Sequence, residues 1–231
     1  MKISLIVPAY NEELYIGQLL DSVLTQTRVP DEIIICNNLS TDNTVKIINK
    51  YQKSLPIKII NESKKGIRFA VDTAWRHATG DLILRSDADC VLPLDWVSKY
   101  EKVFVANPNL AACGGGFRAL DGNQFFKLIA PIVVQIDGII LTLIKGHKVL
   151  FGANFAIRRD VLTKLNGYYS DTPVVQDDIY ICKKLFQNKF QYEYYHEYWN
   201  YTSLRRFNNL QNSLVYFLSV VSPKLYFEKS I

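Results

Sequence analysis

The sequence predicts an α/β fold in which a mostly parallel, doubly wound sheet is flanked by helices. Two observations carry this. Short continuous apolar runs at Ile3–Val7, Ile33–Cys36 and Leu82–Leu84 have the unbroken hydrophobicity of strands covered on both faces. Between them lie segments whose apolar residues recur at helical spacing, and strand–helix alternation of this kind builds parallel sheets.

Each element follows in order. Ile3 to Val7, bounded by Pro8, is the first strand. Asn11 caps a helix whose first turn carries Glu12 and Glu13, at the positive end of its dipole. Ile16, Leu19, Leu20, Val23 and Leu24 form that helix's apolar stripe. Ile33 to Cys36 is the second strand, after which Ser40 or Thr41 caps a helix carrying Val45, Ile48 and Tyr51. Ile57 to Ile60 is a third strand. Val71, Ala74, Trp75 and Ala78 line the next helix, ended by Gly80. Leu82 to Leu84 leads into Asp87-Ala88-Asp89. Pro93 opens a further helix as its first-turn proline, with Trp96, Val97, Tyr100, Val103 and Phe104 inward. After Ala111 the pattern loosens: strands at Ala111–Phe117 and Ala153–Ile157, a helix at Asp177–Asn188, an aromatic strand at Phe190–Trp199. A last amphipathic helix carries Leu210, Leu214, Phe217, Leu218 and Val221.

Composition narrows the function. The 231 residues are 48% hydrophobic and 21% charged, enough for one sizeable core. Cys36, Cys90, Cys113 and Cys182 form no C-x-x-C pair, which argues against a zinc site or disulfide scaffold and fits a reducing compartment. His77, His147 and His196 are dispersed and read as structural. The apolar start is too short for a signal peptide. A net charge of +5 suits an anionic ligand or a membrane surface, and no basic cluster interleaved with aromatics suggests nucleic acid. Leu128 to Ile144 is interrupted by Pro131, Gln135 and Asp137, and so reads as a buried helix or one lying on a membrane.

The chemistry gathers after the strands, on the edge where open parallel sheets bind ligands. Four loops meet there: Pro8 to Glu12, Asn37 to Asp42, Lys64 to Arg68, and Ser86 to Asp89. They offer an aromatic face, amides and hydroxyls, cations, and two carboxylates one residue apart that can hold a hard cation against a phosphate. This inventory matches a base, a ribose and a metal-bridged pyrophosphate. Polar loops also cap helices, and each loop alone is explained that way; their convergence is not.

Four stretches resemble the family 2 glycosyltransferases, in order and spacing over residues 1 to about 207: I-S-L-I-V-P-A-Y-N-E-E from Ile3, N-N-L-S-T-D-N-T from Asn37, Lys64 through Asp89, and V-Q-D-D-I-Y-I-C-K-K-L from Val175. The resemblance implies a GT-A (Rossmann-like) fold with a mixed C-terminal acceptor half. It implies one domain over 1–231: a nucleotide-sugar-binding half to about 110, an acceptor and catalytic half over about 111–207, and a C-terminal helix at 208–231. It further implies an inverting transfer from a nucleotide sugar, usually UDP-linked, to a hydroxyl of a glycan or lipid-linked acceptor. Asp87 and Asp89 would bridge Mg²⁺ or Mn²⁺ to the diphosphate, Asp89 the surer ligand and Asp87 sharing its work with the ribose. Pro8, Tyr10 and Glu12 would line the nucleotide pocket, with Arg68 near the base or phosphates. Asp178 would be the general base and Asp177 would hold it or an acceptor hydroxyl. Gly152 to Arg158 resembles the acceptor-side strand, whose small residues admit substrate. Ser203 to Phe207, with Arg205 and Arg206, either closes over the diphosphate or is an exposed basic turn.

Three positions depart from the family pattern. Asn37 stands where an Asp commonly reads the base, Asp72 where Asn is frequent, and Gln176 gives no third acid. Asn37 is the one feature favouring the alternative, a catalytically silent nucleotide- or glycan-binding subunit. The expected location is cytoplasmic, or peripheral on the cytoplasmic membrane face.

Overall fold

The computed structural model describes residues 1–122, 124, 128, 138–167 and 177–205. Its sheet contains eight strands: β1 (Ile3–Ala9), β2 (Glu32–Asn37), β3 (Ile57–Asn61), β4 (Leu82–Arg85), β5 (Cys90–Val91), β6 (Leu110–Ala119), β7 (Phe155–Arg158) and β8 (Gln191–Thr202). They lie in the order β3-β2-β1-β4-β7-β6-β8-β5. The first four pair in parallel, β7 runs against β4 and β6, β8 is parallel to β6, and β5 runs against β8.

Among the described residues the helices are α1 (Ile16–Leu24), α2 (Thr44–Tyr51), α3 (Ile67–His77), α4 (Trp96–Ala106), α5 (Arg159–Lys164) and α6 (Asp177–Gln187). Residues 138–145 are also helical. The period-two alternation of β1 sorts the faces. Ile3, Leu5 and Val7 pack with Leu19, Leu20, Ile48, Trp96 and Tyr100 of α1, α2 and α4. Ile6 packs on the other face with Ala74 and Trp75 of α3, Leu162 of α5 and Ile181 of α6. Every β1 residue is buried, which explains its unbroken apolar run. Each such aliphatic side chain contributes about 1.5–3 kcal/mol through burial.

Strand order sets the site. The chain lays β2 and β3 on one side of β1 and then crosses to put β4 on the other. That reversal opens a crevice between the carboxyl ends of β1 and β4, where Tyr10–Glu12 and Ser86–Asp89 emerge.

Helix starts differ from the sequence reading. Asn11 does not cap α1, which begins at Ile16 without a side-chain cap. Asn11 instead sits at φ 52, and its Oδ1 accepts from Thr41 N at 2.8 Å. Neither Ser40 nor Thr41 caps α2: Asp42 Oδ1 accepts from Thr44 N at 3.0 Å. Two loops that each looked like a cap are laced to each other. The helix expected from Pro93 starts at Trp96. α3 ends before Gly80, and Gly80 is required for close approach, since a Cβ there would lie 2.7 Å from Ser4 N. The short β5 was not expected.

Of the Leu128–Ile144 segment, only Leu141 among the described residues is fully buried, in a small cluster with Val149 and Ile179. Leu128, Ile139, Ile140, Leu143 and Ile144 are exposed, so the buried-helix alternative does not describe these residues. Among the described residues no helix is long and apolar enough to cross a membrane. The final helix expected over 208–231 lies outside the described residues.

Candidate active site

A cleft of about 200 Å³ opens at the β1–β4 crevice, and Pro8, Tyr10, Glu12, Asp87 and Asp89 line it together. These are five of the residues singled out from sequence. Tyr10 is 44% exposed, and Lys65 Nζ stands 5.0 Å over its ring. The opposite wall is the start of α3, with Lys65, Gly66 and Ile67 in the lining. A helix N-terminus presents unpaired N–H groups and a partial positive charge, both suited to an anion.

Buried Asn38, which the sequence reading passed over, shapes that wall. Its Nδ2 donates to Glu62 O at 3.0 Å and Lys64 O at 2.7 Å, and its Oδ1 accepts from Gly66 N at 2.7 Å. Gly66 adopts φ 135, which L side chains rarely reach. Asn37 and Arg68 are not in the lining. Asn37 donates from Nδ2 to Asn61 Oδ1 at 2.9 Å and accepts from Ser40 N at 3.1 Å. The Arg68 guanidinium lies 4.4 Å over the Phe69 ring.

The late basic turn reaches this cleft. Arg205 pairs with Glu12 and lies 3.3 Å from Asp89 Oδ2, with its guanidinium 4.6 Å over the Tyr15 ring. Burial opposes the Arg205 charge, but its hydrogen bond to Glu12 and the nearby carboxylates outweigh it and raise the guanidinium pKa. Asp121 holds the turn: it accepts from Ser203 Oγ at 2.5 Å and from Leu204 N at 2.7 Å. Arg206 lies outside the described residues.

Asp87 Oδ1 is buried and accepts no hydrogen bond; its nearest cation is Arg85 Nη2 at 3.6 Å. An acceptor left so, beside a second carboxylate on the same turn, fits a hard divalent cation. Among the described residues no group of three or more His, Cys, Asp or Glu could hold a metal, so Asp87 and Asp89 would share such an ion with ligand oxygens.

The second acidic pair opens α6. Asp177 is 4% exposed and pairs with Arg85. Asp178 is partly exposed; its Oδ2 accepts from Gly152 N at 3.1 Å and its Oδ1 from Ile179 N at 2.8 Å. Burial first, and the Asp177 charge second, push the Asp178 carboxyl up to about 6, against the pull of Arg85. It is not in the cleft's lining; Arg85 pairs with its neighbour Asp177 and lies 3.6 Å from Asp87. Arg85, like Asn38, is a residue that sequence reasoning missed; the signal available was a cation ending an otherwise apolar strand.

The acceptor-side strand also reads differently in three dimensions. Asn154 is wholly buried: its Oδ1 accepts from Trp96 Nε1 at 2.8 Å and Tyr100 Oη at 2.7 Å, and its Nδ2 donates to Gly116 O at 2.8 Å. Gly152 makes room for Arg85. The dispersed histidines make local contacts, His147 stacking on Phe186 and His196 edge-on to Tyr194, and all four cysteines are buried and free.

The family model described as glycosyl transferase family 2 matches residues 4–165. The chain belongs to this family. It is 30% identical to the poly-beta-1,6-N-acetyl-D-glucosamine synthase of Staphylococcus epidermidis over 202 residues, covering 84% of this chain and 48% of that protein. It is 33% identical to the poly(ribitol-phosphate) beta-N-acetylglucosaminyltransferase TarS of Staphylococcus aureus over 187 residues, 73% of this chain and 32% of that one. The chain thus spans half or less of the length of these curated relatives. Among solved structures, a Pyrobaculum calidifontis mannosyltransferase in complex with GDP-Man and Mn²⁺ aligns with a TM-score of 0.72 at 21% identity, over 95% of this chain and 62% of that one. S. aureus TarS 1–349 with UDP-GlcNAc gives 0.71 at 22% identity, over 99% and 64%. These glycosyltransferase neighbours share the GT-A fold of this chain.

Proposed function

We propose that this glycosyltransferase chain is inverting and metal-dependent, moving a sugar from a nucleotide sugar, UDP-linked, to a hydroxyl of a glycan or lipid-linked acceptor. The observation that carries the reading is the convergence of Asp87 and Asp89 on one cleft with Pro8, Tyr10 and Glu12, while Arg85 links Asp87 to Asp177, the neighbour of the raised Asp178 carboxyl.

Tyr10 offers a face for the base or ribose, and the start of α3 with Lys65 offers donors to the phosphates. Asp87 and Asp89 would hold Mg²⁺ or Mn²⁺, which when bound offsets the negative charge growing on the departing diphosphate. Arg205, already seated between Glu12 and Asp89, adds positive charge at the same place. Asp178 takes the proton of the acceptor hydroxyl while that oxygen bonds to the sugar's C1, and the C1–oxygen bond to the diphosphate breaks on the opposite face. A carboxyl near pH 6 is a serviceable base at neutral pH, being mostly ionised yet still basic. Asp177 spends its carboxylate on Arg85 and so positions Asp178 rather than the acceptor. The domain limits expected above, 1–231 with its two halves, belong to the same proposal, as does a peripheral place at the cytoplasmic face for the exposed apolar residues of 138–144.

The test is release of nucleoside diphosphate from a panel of UDP-, GDP- and dTDP-sugars, with and without Mn²⁺ and candidate acceptors. Mn²⁺-dependent release from at least one donor, stimulated by acceptor, is expected. Tight donor binding with no release from any would favour the silent binding subunit.

A further inference from the structure

We propose that Arg85 is a positioning residue that joins the donor-side carboxylate Asp87 to the acidic pair of α6 and fixes where Asp178 stands. The inference rests on the reading of Asp178 as the base. Arg85 ends the apolar strand β4 and is only 2% exposed. A charge buried that deeply persists only when matched by opposite charge and hydrogen bonds. Its two terminal nitrogens face different motifs: Nη1 pairs with Asp177 and Nη2 lies 3.6 Å from Asp87 Oδ1.

Gly152 closes the arrangement. A Cβ at Gly152 would lie 2.5 Å from Arg85 Cζ, so the backbone there passes directly over the guanidinium. The same Gly152 N–H donates to Asp178 Oδ2. Arg85 therefore holds Asp178 twice: through the neighbouring Asp177 carboxylate on α6, and through the backbone it supports at residue 152. Among the described residues, the charged and titratable groups around Asp178 are Asp177, Arg85 and the Cys182 thiol one turn along α6, with the Gly152 and Ile179 N–H groups as donors. Of these, Arg85 is the cation that favours the ionised base.

The experiment compares wild type with Arg85→Met, Arg85→Lys and Gly152→Ala on the whole chain, reading kcat, donor KM and the pH profile of kcat, with melting curves as a check of folding. Arg85→Met is expected to lower kcat about tenfold or more, the scale of a small misplacement of a reacting group. Its donor KM should change less than kcat. Its acid limb should move to higher pH, because the cation favouring the Asp178 carboxylate is gone. Lys should restore part of both effects. Gly152→Ala keeps every charge but crowds the guanidinium, and should move the limb the same way; it stands in if Arg85→Met does not fold. Limbs that stay at the wild-type pH, or a loss of kcat that Lys leaves unrelieved, would overturn the proposal while wild type remains active. A wild type inactive with every donor would instead overturn the underlying function.

Discussion

The two acidic motifs differ in how the fold holds them. Asp87 and Asp89 lie on one turn after β4; Arg205, from far along the chain, meets Asp89, and Arg85, two residues back, lies near Asp87. Asp177 and Asp178 stand side by side at a helix start, with Arg85 as their one nearby cation among the described residues; burial and their mutual repulsion raise Asp178 to about 6. One edge is built to hold negative charge in place, the other to leave a carboxylate short of compensation. On the function proposed above, that difference would separate gripping a leaving group from taking up a proton.

The largest expected effect breaks the first edge. Asp89→Ala should abolish transfer, measured as sugar incorporation, while leaving the melting temperature within a few degrees; transfer at the wild-type rate would remove the cation site. Next comes the second edge. Asp178→Asn should lower kcat by about 10²-fold or more, on the usual worth of a general base, with donor affinity kept, measured by equilibrium titration of the donor.

The raised carboxyl also predicts two pH effects. Wild-type kcat should fall as pH drops through about 6, because the base becomes protonated. For stability the sign is opposite to that of an ordinary salt-bridged acid. Between the unfolded value of about 4 and the folded value near 6, the folded state binds more protons, so this group's contribution falls as pH rises. Asp178→Asn should therefore melt above wild type at pH 7 to 8, with the gap closing below about pH 4. An Asp178→Asn variant that melts lower than wild type at pH 8 would contradict the assigned cause.

The difference between the edges also governs what could be read from sequence. The donor edge was legible because parallel strands deliver their loops to one side, so Pro8, Tyr10, Glu12, Asp87 and Asp89 could be grouped without coordinates. Asn37 and Arg68 were grouped with them by position alone, and local bonds to Asn61 and Ser40, and stacking on Phe69, draw them off the lining. The acceptor edge depends on pairings that no local pattern announces. Arg85 meets Asp177 across 92 positions, and β7 enters between β4 and β6 with its direction reversed. Asn154 looked like an acceptor-side residue, yet its amide unites α4, β6 and the start of β7. Asn154→Ala should cost stability of about 1–3 kcal/mol for each buried donor left unsatisfied, Trp96 Nε1 and Tyr100 Oη, read by denaturant melts; a neutral effect would mean that water replaces the amide.

The smallest effect sharpens the donor edge alone. Asn37→Asp restores an acceptor without a competing donor, and should raise preference for uracil nucleotides a few-fold over guanine ones while kcat stays unchanged. Equal preference in both proteins would place base reading elsewhere, with Asn38 and Lys65 next in view.

The most direct measurement is the melting temperature of wild type and Asp89→Ala with a nucleotide sugar, in Mn²⁺ and in EDTA, since a ligand bound only by the folded state raises it. A rise for wild type in Mn²⁺ alone, absent from the variant, is the predicted result. Equal rises in both proteins, or a rise indifferent to EDTA, would contradict the claim that these carboxylates hold a cation against the donor's diphosphate.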